Sequence, residues 1–265
     1  MNRTILTEQH IAEALSFAQQ AMQGAGEIAL RYFRQPLVVD NKLAGDSFDP
    51  VTRADREIEA FLREKLRRSF PHFGVVGEED GVTPGSSDIN WVVDPIDGTK
   101  AFISGFPTWG ILLGLQQGDR VLAGLMYQPA TGELFYGSAD GAFLRHKNQL
   151  VAMQTRQEIG LEDALLYCTH ESMFANESNL AAFRRVAARA RLQRFGGDCY
   201  AYCMLALGQI DPAAVRATFN DALTPQPATL SPVTSFWAPA MGAPADFSTD
   251  VAWQTALQSA QMTDD

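Results

Sequence analysis

The sequence predicts an α/β protein built in layers of helix and sheet. Three patterns predict this: two helical stripes of apolar residues near the amino terminus, a run of hairpin-linked strands, and alternating strands and helices after residue 154. The chain has 265 residues, 46% of them hydrophobic, which is enough to bury one large core or two subdomains. We therefore expect a compact protein that folds as one unit.

Two amphipathic helices are predicted first. Thr7 is placed to cap a helix of about seven turns, because apolar residues recur every three or four positions from Ile11 to Tyr32. A short strand over residues 37–40 and a mobile loop over residues 41–49 follow, since the loop segment holds Gly, Asp, Ser and Lys without periodicity. A second helix follows Thr52, and its acidic first turn suits the helix dipole.

A run of strands is predicted next. The segments alternate or hold apolar residues and are joined by turn residues, which is typical of hairpins in an antiparallel sheet. They cover residues 74–77, 91–94, 110–115, 121–127, 134–137 and 142–145.

The pattern changes after residue 152. A strand over 164–169, a helix over 180–190, a strand over 192–195 and a helix over 200–207 predict a second layered subdomain. We therefore divide the chain into subdomains 1–152 and 153–265. From about residue 212 the second one becomes rich in Ala, Pro, Thr and Ser, and this tail is atypical because it shows no clear periodicity.

Charge and composition exclude several classes of function. A net charge of −10 argues against nucleic acid or an anionic membrane as a partner, since both are bound by clustered Lys and Arg. No run of 18 apolar residues and no apolar leader segment occurs, so we expect a cytoplasmic protein. The three cysteines form no Cys-x-x-Cys pair and the four histidines are scattered, which disfavours a zinc site or a Ser-His triad.

Carboxylates gather in three short segments beside apolar runs. Glu78 follows the strand that ends at Gly77, while Asp94 and Asp97 end the strand that begins at Trp91. The Asp-x-x-Asp spacing lets both carboxylates and the Ile96 carbonyl oxygen converge on one hard cation, and a ligand set made only of oxygen suits Mg²⁺. A cation would also let a phosphate ester enter a cleft that carboxylates alone would repel.

Other interpretations of these acids are weaker. Acidic pairs also occur in solvated loops, and Asp-Gly-Thr is also an ordinary turn, although the length of the framed string favours a functional site. A phosphatase that forms an aspartyl phosphate needs Asp-x-Asp, whereas Asp94 and Asp97 are three apart. Neither Gly-x-Gly-x-x-Gly nor a Walker string occurs, so a nucleotide-binding loop has no support.

The motifs resemble those of the inositol monophosphatase family of lithium-sensitive, magnesium-dependent phosphatases. The family string Trp-x-x-Asp-Pro-Ile-Asp-Gly-Thr stands at residues 91–99, and Gly-Glu-Glu stands upstream at 77–79. Residues 52–55, 100–103 and especially 195–203 resemble the histidinol-phosphate phosphatase branch. The resemblance runs from the first helix to about residue 211.

The resemblance implies a fold and an activity. The fold is an antiparallel sheet with paired helices plus a smaller mixed α/β sheet, assembled as a homodimer. The activity is hydrolysis of a small phosphate monoester with two or three Mg²⁺ ions per site. Histidinol phosphate, an intermediate of histidine biosynthesis, is the first substrate expected, and inositol-1-phosphate or another small monoester is the alternative.

The resemblance also assigns roles to the acidic residues. Glu78, Asp94 and the carbonyl of Ile96 would hold the first Mg²⁺, and Asp94 and Asp97 would share the second. Glu78 is therefore counted with the catalytic residues.

Further residues are assigned to water and substrate by the same resemblance. Thr99, backed by Asp55, would orient the water that attacks phosphorus. The backbone N–H groups of Gly98 and Thr99 would contact the phosphate. Asp198 would contact the organic part of the substrate, and Lys42 would lie in a loop that closes the site with a further metal.

The family pattern breaks near the carboxyl terminus. The family expects an aromatic-Asp pair followed by Glu-x-x-Gly-Gly, and this signature is absent. Asp221 is the best candidate for the missing metal ligand by its distance from Asp198. Because losing a carboxylate ligand weakens a metal site, a catalytically weakened homologue is a second alternative.

Overall fold

The computed structural model describes residues 6–36, 39–41, 50–118, 120–156, 160–174 and 177–211. Helix α1 (Glu8–Tyr32) and helix α2 (Arg53–Ser69) pack against each other. Thr7 and Thr52 cap them in capping boxes, so the predicted starts of both helices are confirmed. Strands β1 (Val39–Asn41) and β2 (Pro50–Thr52) form a small antiparallel pair before α2.

The main sheet has eight strands in the order β10-β9-β8-β7-β6-β5-β3-β4. Six of them cover the segments predicted as strands, whereas the two edge strands, β4 and β10, were not predicted. The strands are β3 (Gly74–Gly77), β4 (Val82–Thr83), β5 (Ile89–Asp97), β6 (Gly110–Gln117), β7 (Arg120–Gln128), β8 (Glu133–Ser138), β9 (Gly141–His146) and β10 (Gln149–Ala152).

The sheet is antiparallel, as expected, except between β3 and β5. These two strands are parallel because the chain leaves β3, returns through β4 on its outer side, and then crosses to the inner side as β5. The correction matters for the site, because parallel neighbours end at the same edge of a sheet. The residues that follow β3 therefore lie beside the end of β5.

Both faces of the sheet are covered. Alternate residues of the central strands belong to different hydrophobic clusters, as the two-residue period of a strand requires. Trp91 and Val93 pack with α1 and α2, whereas Val92 packs with Cys199 and Cys203 on the opposite face. The second cluster thus joins residues from both sides of position 152, and the division of the chain at that position stays a prediction.

The remaining described elements form a smaller layer. Strands β11 (Leu165–Cys168) and β12 (Leu192–Phe195) pair in parallel, and a third cluster packs helix α4 (Glu177–Arg189) against them through Phe183. Helix α5 (Asp198–Ala206) returns to the main sheet and contacts β7. Among the described residues, no helix combines the length and the apolar run that crossing a bilayer requires.

Candidate active site

Strand register brings Glu78 and Asp94 together. Gly77 pairs with Val93 across the parallel β3–β5 ladder, so the next residue on each strand lies beside the other. Both side chains point to the face that carries α5, because Val76 and Val92, two residues earlier, pack in the second cluster. Burial, the charge of Glu78, and the hydrogen bond of Glu78 with the protonated form of Asp94 raise the pKa of Asp94.

A β-bulge brings Asp97 to the same face. Asp94 pairs with Leu112 and Asp97 with Gly110, so three steps along β5 match two steps along β6. In a regular strand, residues three apart point to opposite faces of the sheet. The extra residue of a bulge changes this, so that Asp94 and Asp97 point to the same face. The bulge holds Pro95, which is tolerated where ladder pairing is interrupted. The Asp-x-x-Asp spacing therefore works only because β5 is irregular here.

Asp94 is the most strongly perturbed acid of the cluster. The residue is 6% exposed, and its Oδ1 has no hydrogen-bond partner among the described residues. Burial raises the pKa of Asp94 well above its usual range, and the charges of Glu78, Asp97 and Asp55 raise this pKa further. A buried oxygen without a partner, surrounded by other acids, is a strong candidate ligand for a cation.

Asp97 is held by the start of α5. The backbone N–H of Cys199 donates to its Oδ2 at 2.7 Å. Burial raises the pKa of Asp97, the hydrogen bonds from Cys199 oppose that rise, and the charge of Glu78 adds to it. The first turn of a helix of nine residues thus fixes the orientation of this carboxylate.

Asp55 lies at the other side of the cluster, in the first turn of α2. Its Oδ2 accepts from the Thr52 backbone N–H at 2.8 Å and from the Thr52 hydroxyl at 2.6 Å. Asp55 is 2% exposed, so this capping box locks its rotamer inside the protein. The hydroxyl of Thr99 donates to the carbonyl of Ile96 at 3.0 Å.

Gly98 and Asp198 meet across the site. Gly98 has φ +83° and precedes the short helix α3 (Thr99–Ser104), which was not predicted. A Cβ at Gly98 would lie 3.0 Å from Cβ of Asp198, so glycine is needed for both reasons. Burial raises the pKa of Asp198 to about 6, Asp97 adds to this shift, and Lys100 opposes it.

Two residues near the site were missed by sequence analysis. Glu59 is fully buried and pairs with Arg63, whose Nε donates to Glu59 Oε1 at 2.8 Å. The sequence analysis explained the acids at the start of α2 by the helix dipole. The sequence did contain one signal for these residues. Glu59 and Arg63 lie on the same face of the helix as the apolar residues Ile58, Leu62 and Leu66, which is the buried face.

The acids offer the kind of donor atoms that a hard divalent cation prefers. They offer only oxygen donors and converge from two parallel strand ends and a helix start. Within the described ranges, no group of three or more His, Cys, Asp or Glu side chains is arranged so that it could hold a metal ion. Lys42, Asp221 and the tail after residue 211 lie outside the described residues.

Comparison with known proteins gives consistent results. The model of a family described as the inositol monophosphatase family matches residues 10–220. Over 189 residues the chain is 35% identical to a chloroplastic bifunctional phosphatase, IMPL2, of Arabidopsis thaliana, covering 71% of this chain and 53% of that protein. The chain therefore aligns with only about half of the plant protein.

A bacterial relative and a solved structure match at similar identity. A histidinol-phosphatase of Chlorobaculum parvum is 31% identical over 201 residues, which cover 75% of each protein. The structure of an inositol monophosphatase from Zymomonas mobilis superposes with a TM-score of 0.64 at 30% identity, covering 80% of this chain and 83% of that one.

Proposed function

Because this chain belongs to the inositol monophosphatase family, we propose that it is a Mg²⁺-dependent phosphatase whose substrate is histidinol phosphate. The relatives of the chain are named phosphatases, and the chain is a phosphoric monoester hydrolase.

The buried carboxylates around Asp94 support the proposal that the protein binds Mg²⁺. Asp94 is held inside the protein with one oxygen lacking a hydrogen bond among the described residues, while Glu78, Asp97 and Asp55 all disfavour its charge. Folding around such a cluster is unfavourable unless a proton or a cation neutralises it. The oxygen-only donors suit Mg²⁺, so these residues fit the ion.

Glu78, Asp94, Asp97 and the Ile96 carbonyl would hold the metal. When bound, Mg²⁺ supplies positive charge to the phosphoryl oxygens and lowers the pKa of water. The chain's own residues then orient the reaction. Asp55, locked by Thr52, and the hydroxyl of Thr99 would position the attacking water, and the Asp55 carboxylate would accept its proton.

Bond changes in the proposed reaction are those of hydrolysis. The water oxygen forms a bond to phosphorus as the bond to the ester oxygen breaks, and the departing alkoxide takes up a proton to leave as the alcohol. The Gly98 and Thr99 backbone N–H groups would contact the phosphate, where the left-handed conformation of Gly98 turns the chain into α3.

Asp198 supports the choice of substrate. Its carboxyl group stands beside Gly98, whose N–H is proposed to contact the phosphate, so a bound ester would place its organic part within reach of Asp198. Histidinol carries an amino group, whose positive charge this carboxylate would bind, whereas inositol carries only hydroxyl groups. A named histidinol-phosphatase among the relatives supports the same substrate.

A substrate panel tests the proposal. Phosphate release is measured from histidinol phosphate and inositol-1-phosphate, each with Mg²⁺ and with EDTA. Histidinol phosphate should be hydrolysed faster, and EDTA should abolish the release. Faster hydrolysis of inositol-1-phosphate would overturn the substrate. Absence of any Mg²⁺-dependent release would favour the weakened homologue.

A cytoplasmic homodimer is expected from the resemblance and the composition. Light scattering of the purified chain checks the dimer, since a mass of 29.0 kDa marks the monomer.

A further inference from the structure

We propose that Glu59 and Arg63 are positioning residues for Glu78, acting as a buried ion pair that fixes the loop in which Glu78 lies. The inference rests on the proposed function, because Glu78 matters here as a metal ligand. Neither Glu59 nor Arg63 contacts the acid cluster as a ligand. Their effect passes through the backbone of residues 77–81.

Glu59 holds the chain immediately after Glu78. Its Oε2 accepts from the backbone N–H of Glu79 at 2.7 Å, and its Oε1 accepts from the N–H of Asp80 at 2.9 Å. Hydrogen bonds to a charged acceptor are stronger than neutral ones, particularly in a buried site. The two bonds therefore fix the direction in which the chain leaves β3.

Arg63 closes the other side of the same loop. Its guanidinium donates to the Glu59 carboxylate, to the carbonyl of Gly81 and, at 2.9 Å, to the hydroxyl of Thr83. The N–H of Gly77 also donates to the Gly81 carbonyl at 2.9 Å. The turn after β3 is thus tied to α2 at residues 79, 80, 81 and 83.

Gly77 makes the close approach possible. A Cβ on this residue would lie 2.2 Å from Oε1 of Glu59, so no other residue fits without displacing the carboxylate. Gly77 points to the α2 face of the sheet and Glu78 to the opposite face. The ion pair therefore lies behind the strand, on the face opposite to the one that carries Glu78.

The negative charge of Glu59 explains why this residue has a cationic partner. A buried Glu59 alone would add another negative charge close to Glu78, Asp94 and Asp55, and Arg63 cancels it. A buried ion pair contributes little net stability compared with apolar side chains of similar size. Its retention under the site is better explained by the geometry that it imposes on the loop.

Helix α2 also relates this loop to Asp55. Asp55, Glu59 and Arg63 are four residues apart and share one buried face of the helix. One rigid element thus fixes both the acid proposed to orient water and the loop that carries Glu78. Movement of Asp55, or of the loop that carries Glu78, therefore requires movement of α2.

The experiment compares Glu59→Gln with Glu57→Gln, a matched change of a partly exposed acid on the same helix that pairs with Arg53. Glutamine keeps the shape but places an NH₂ group opposite one of the two backbone donors. Mg²⁺ is titrated against the melting temperature and against phosphate release. Amide hydrogen exchange at residues 79 and 80 is measured without metal.

Glu59→Gln should raise the half-saturating Mg²⁺ concentration by roughly tenfold or more, as loss of an outer partner does in other metal sites. It should also speed exchange at residues 79 and 80, lower kcat at the parent's Mg²⁺ concentration, and leave the substrate KM at saturating Mg²⁺ near the parent value. Glu57→Gln should match the parent in all four. Loss of stability with an unchanged Mg²⁺ titration would overturn the inference.

Two further outcomes separate the possibilities. A parent chain that does not respond to Mg²⁺ overturns the proposed function and this inference with it. A parent that responds, together with an equally responsive Glu59→Gln, overturns the inference alone.

If Glu59→Gln does not fold, Arg63→Lys decides, since lysine keeps the charge but cannot make the three contacts of the guanidinium. Its Mg²⁺ titration should shift in the same direction, and an unchanged titration overturns the inference.

Discussion

The backbone N–H of Cys199 and the Oδ2 of Asp97 are joined at 2.7 Å across 102 residues of sequence. The bond connects the end of β5 with the start of α5, so a helix from the later part of the chain orients a carboxylate of the main sheet. Because the donor is a backbone group, side-chain changes at residue 199 leave it in place.

Replacing Cys199 with proline tests this bond. Proline is tolerated in the first turn of a helix but has no N–H, so Cys199→Pro should weaken Mg²⁺-dependent activity by roughly tenfold through the lost orientation of Asp97. Cys199→Ala keeps the N–H and should have a far smaller effect on the Mg²⁺ titration. Equal titrations for the two variants would mean that the bond does not position Asp97.

Asp94→Asn should lower phosphate release by roughly 100-fold or more, because the amide cannot replace the charged ligand. Phosphate release is measured at saturating Mg²⁺, beside Asp140→Asn, which changes an exposed acid in the turn between β8 and β9. Full activity in Asp94→Asn would show that the assigned site is wrong.

Stability of the metal-free protein should fall as pH rises. The pKa of Asp94 is higher in the folded state than in the unfolded chain, so the folded state holds more protons above about pH 4, and the free energy of unfolding decreases with pH. Asp94→Asn loses the contribution of Asp94 to this dependence, whereas Asp97 and Asp198, whose pKa values are also raised, keep theirs. The variant should therefore become more stable than the parent as pH rises toward 7.

Urea unfolding in EDTA at several pH values measures the effect. The advantage of Asp94→Asn over the parent should vanish near pH 4, and Mg²⁺ at pH 7 should reverse it by stabilising only the parent. A constant difference between the two proteins at all pH values would contradict the raised pKa.

Gly77→Ala should lower the free energy of unfolding by about 1–3 kcal/mol, since the new methyl group would overlap the Glu59 carboxylate. Thermal unfolding without metal measures it. Gly160→Ala is the matched control, because a Cβ there would make an ordinary contact at 3.5 Å with Glu162. A neutral Gly77→Ala would show that Glu59 can move without cost.

Asp198→Asn should raise the KM for histidinol phosphate by roughly tenfold, because an amide attracts the substrate's amino group less than a carboxylate does. The KM for inositol-1-phosphate should change less, since that ester carries no amine. Initial rates at saturating Mg²⁺ give both values. The same rise for both esters would remove the argument that Asp198 selects the amine.

Local signals in the sequence predicted much of the fold. The bounds of β3 and β12 match the predicted segments, and the two threonine caps fix the starts of α1 and α2. Such features depend on neighbouring residues, which a sequence displays directly. The edge strand β4 has only two residues and follows a turn, so it carries no detectable alternation.

The sequence predicted the candidate site as a set of residues but not its geometry, and the roles of these residues stay a prediction. The motif singled out Glu78, Asp94 and Asp97, yet neither the parallel pairing of β3 with β5 nor the bulge at Pro95 has a local signature. The contact of Asp97 with Cys199 depends on tertiary packing. Glu59 was missed because its partners lie about 20 residues away, in a turn.

Helix α2 links the packing of the hydrophobic core to the geometry of the acid cluster. Ile58, Leu62 and Leu66 are fully buried and set the rotation of the helix about its axis, and the same rotation aims Asp55 and Glu59. A cavity created beneath Leu66, far along the helix from Asp55, would let the helix rotate about its axis. That rotation would displace the carboxylates of both Asp55 and Glu59. Repacking this interior is therefore a route to adjusting the proposed Mg²⁺ affinity without changing any residue that is proposed to contact the ion or the ester.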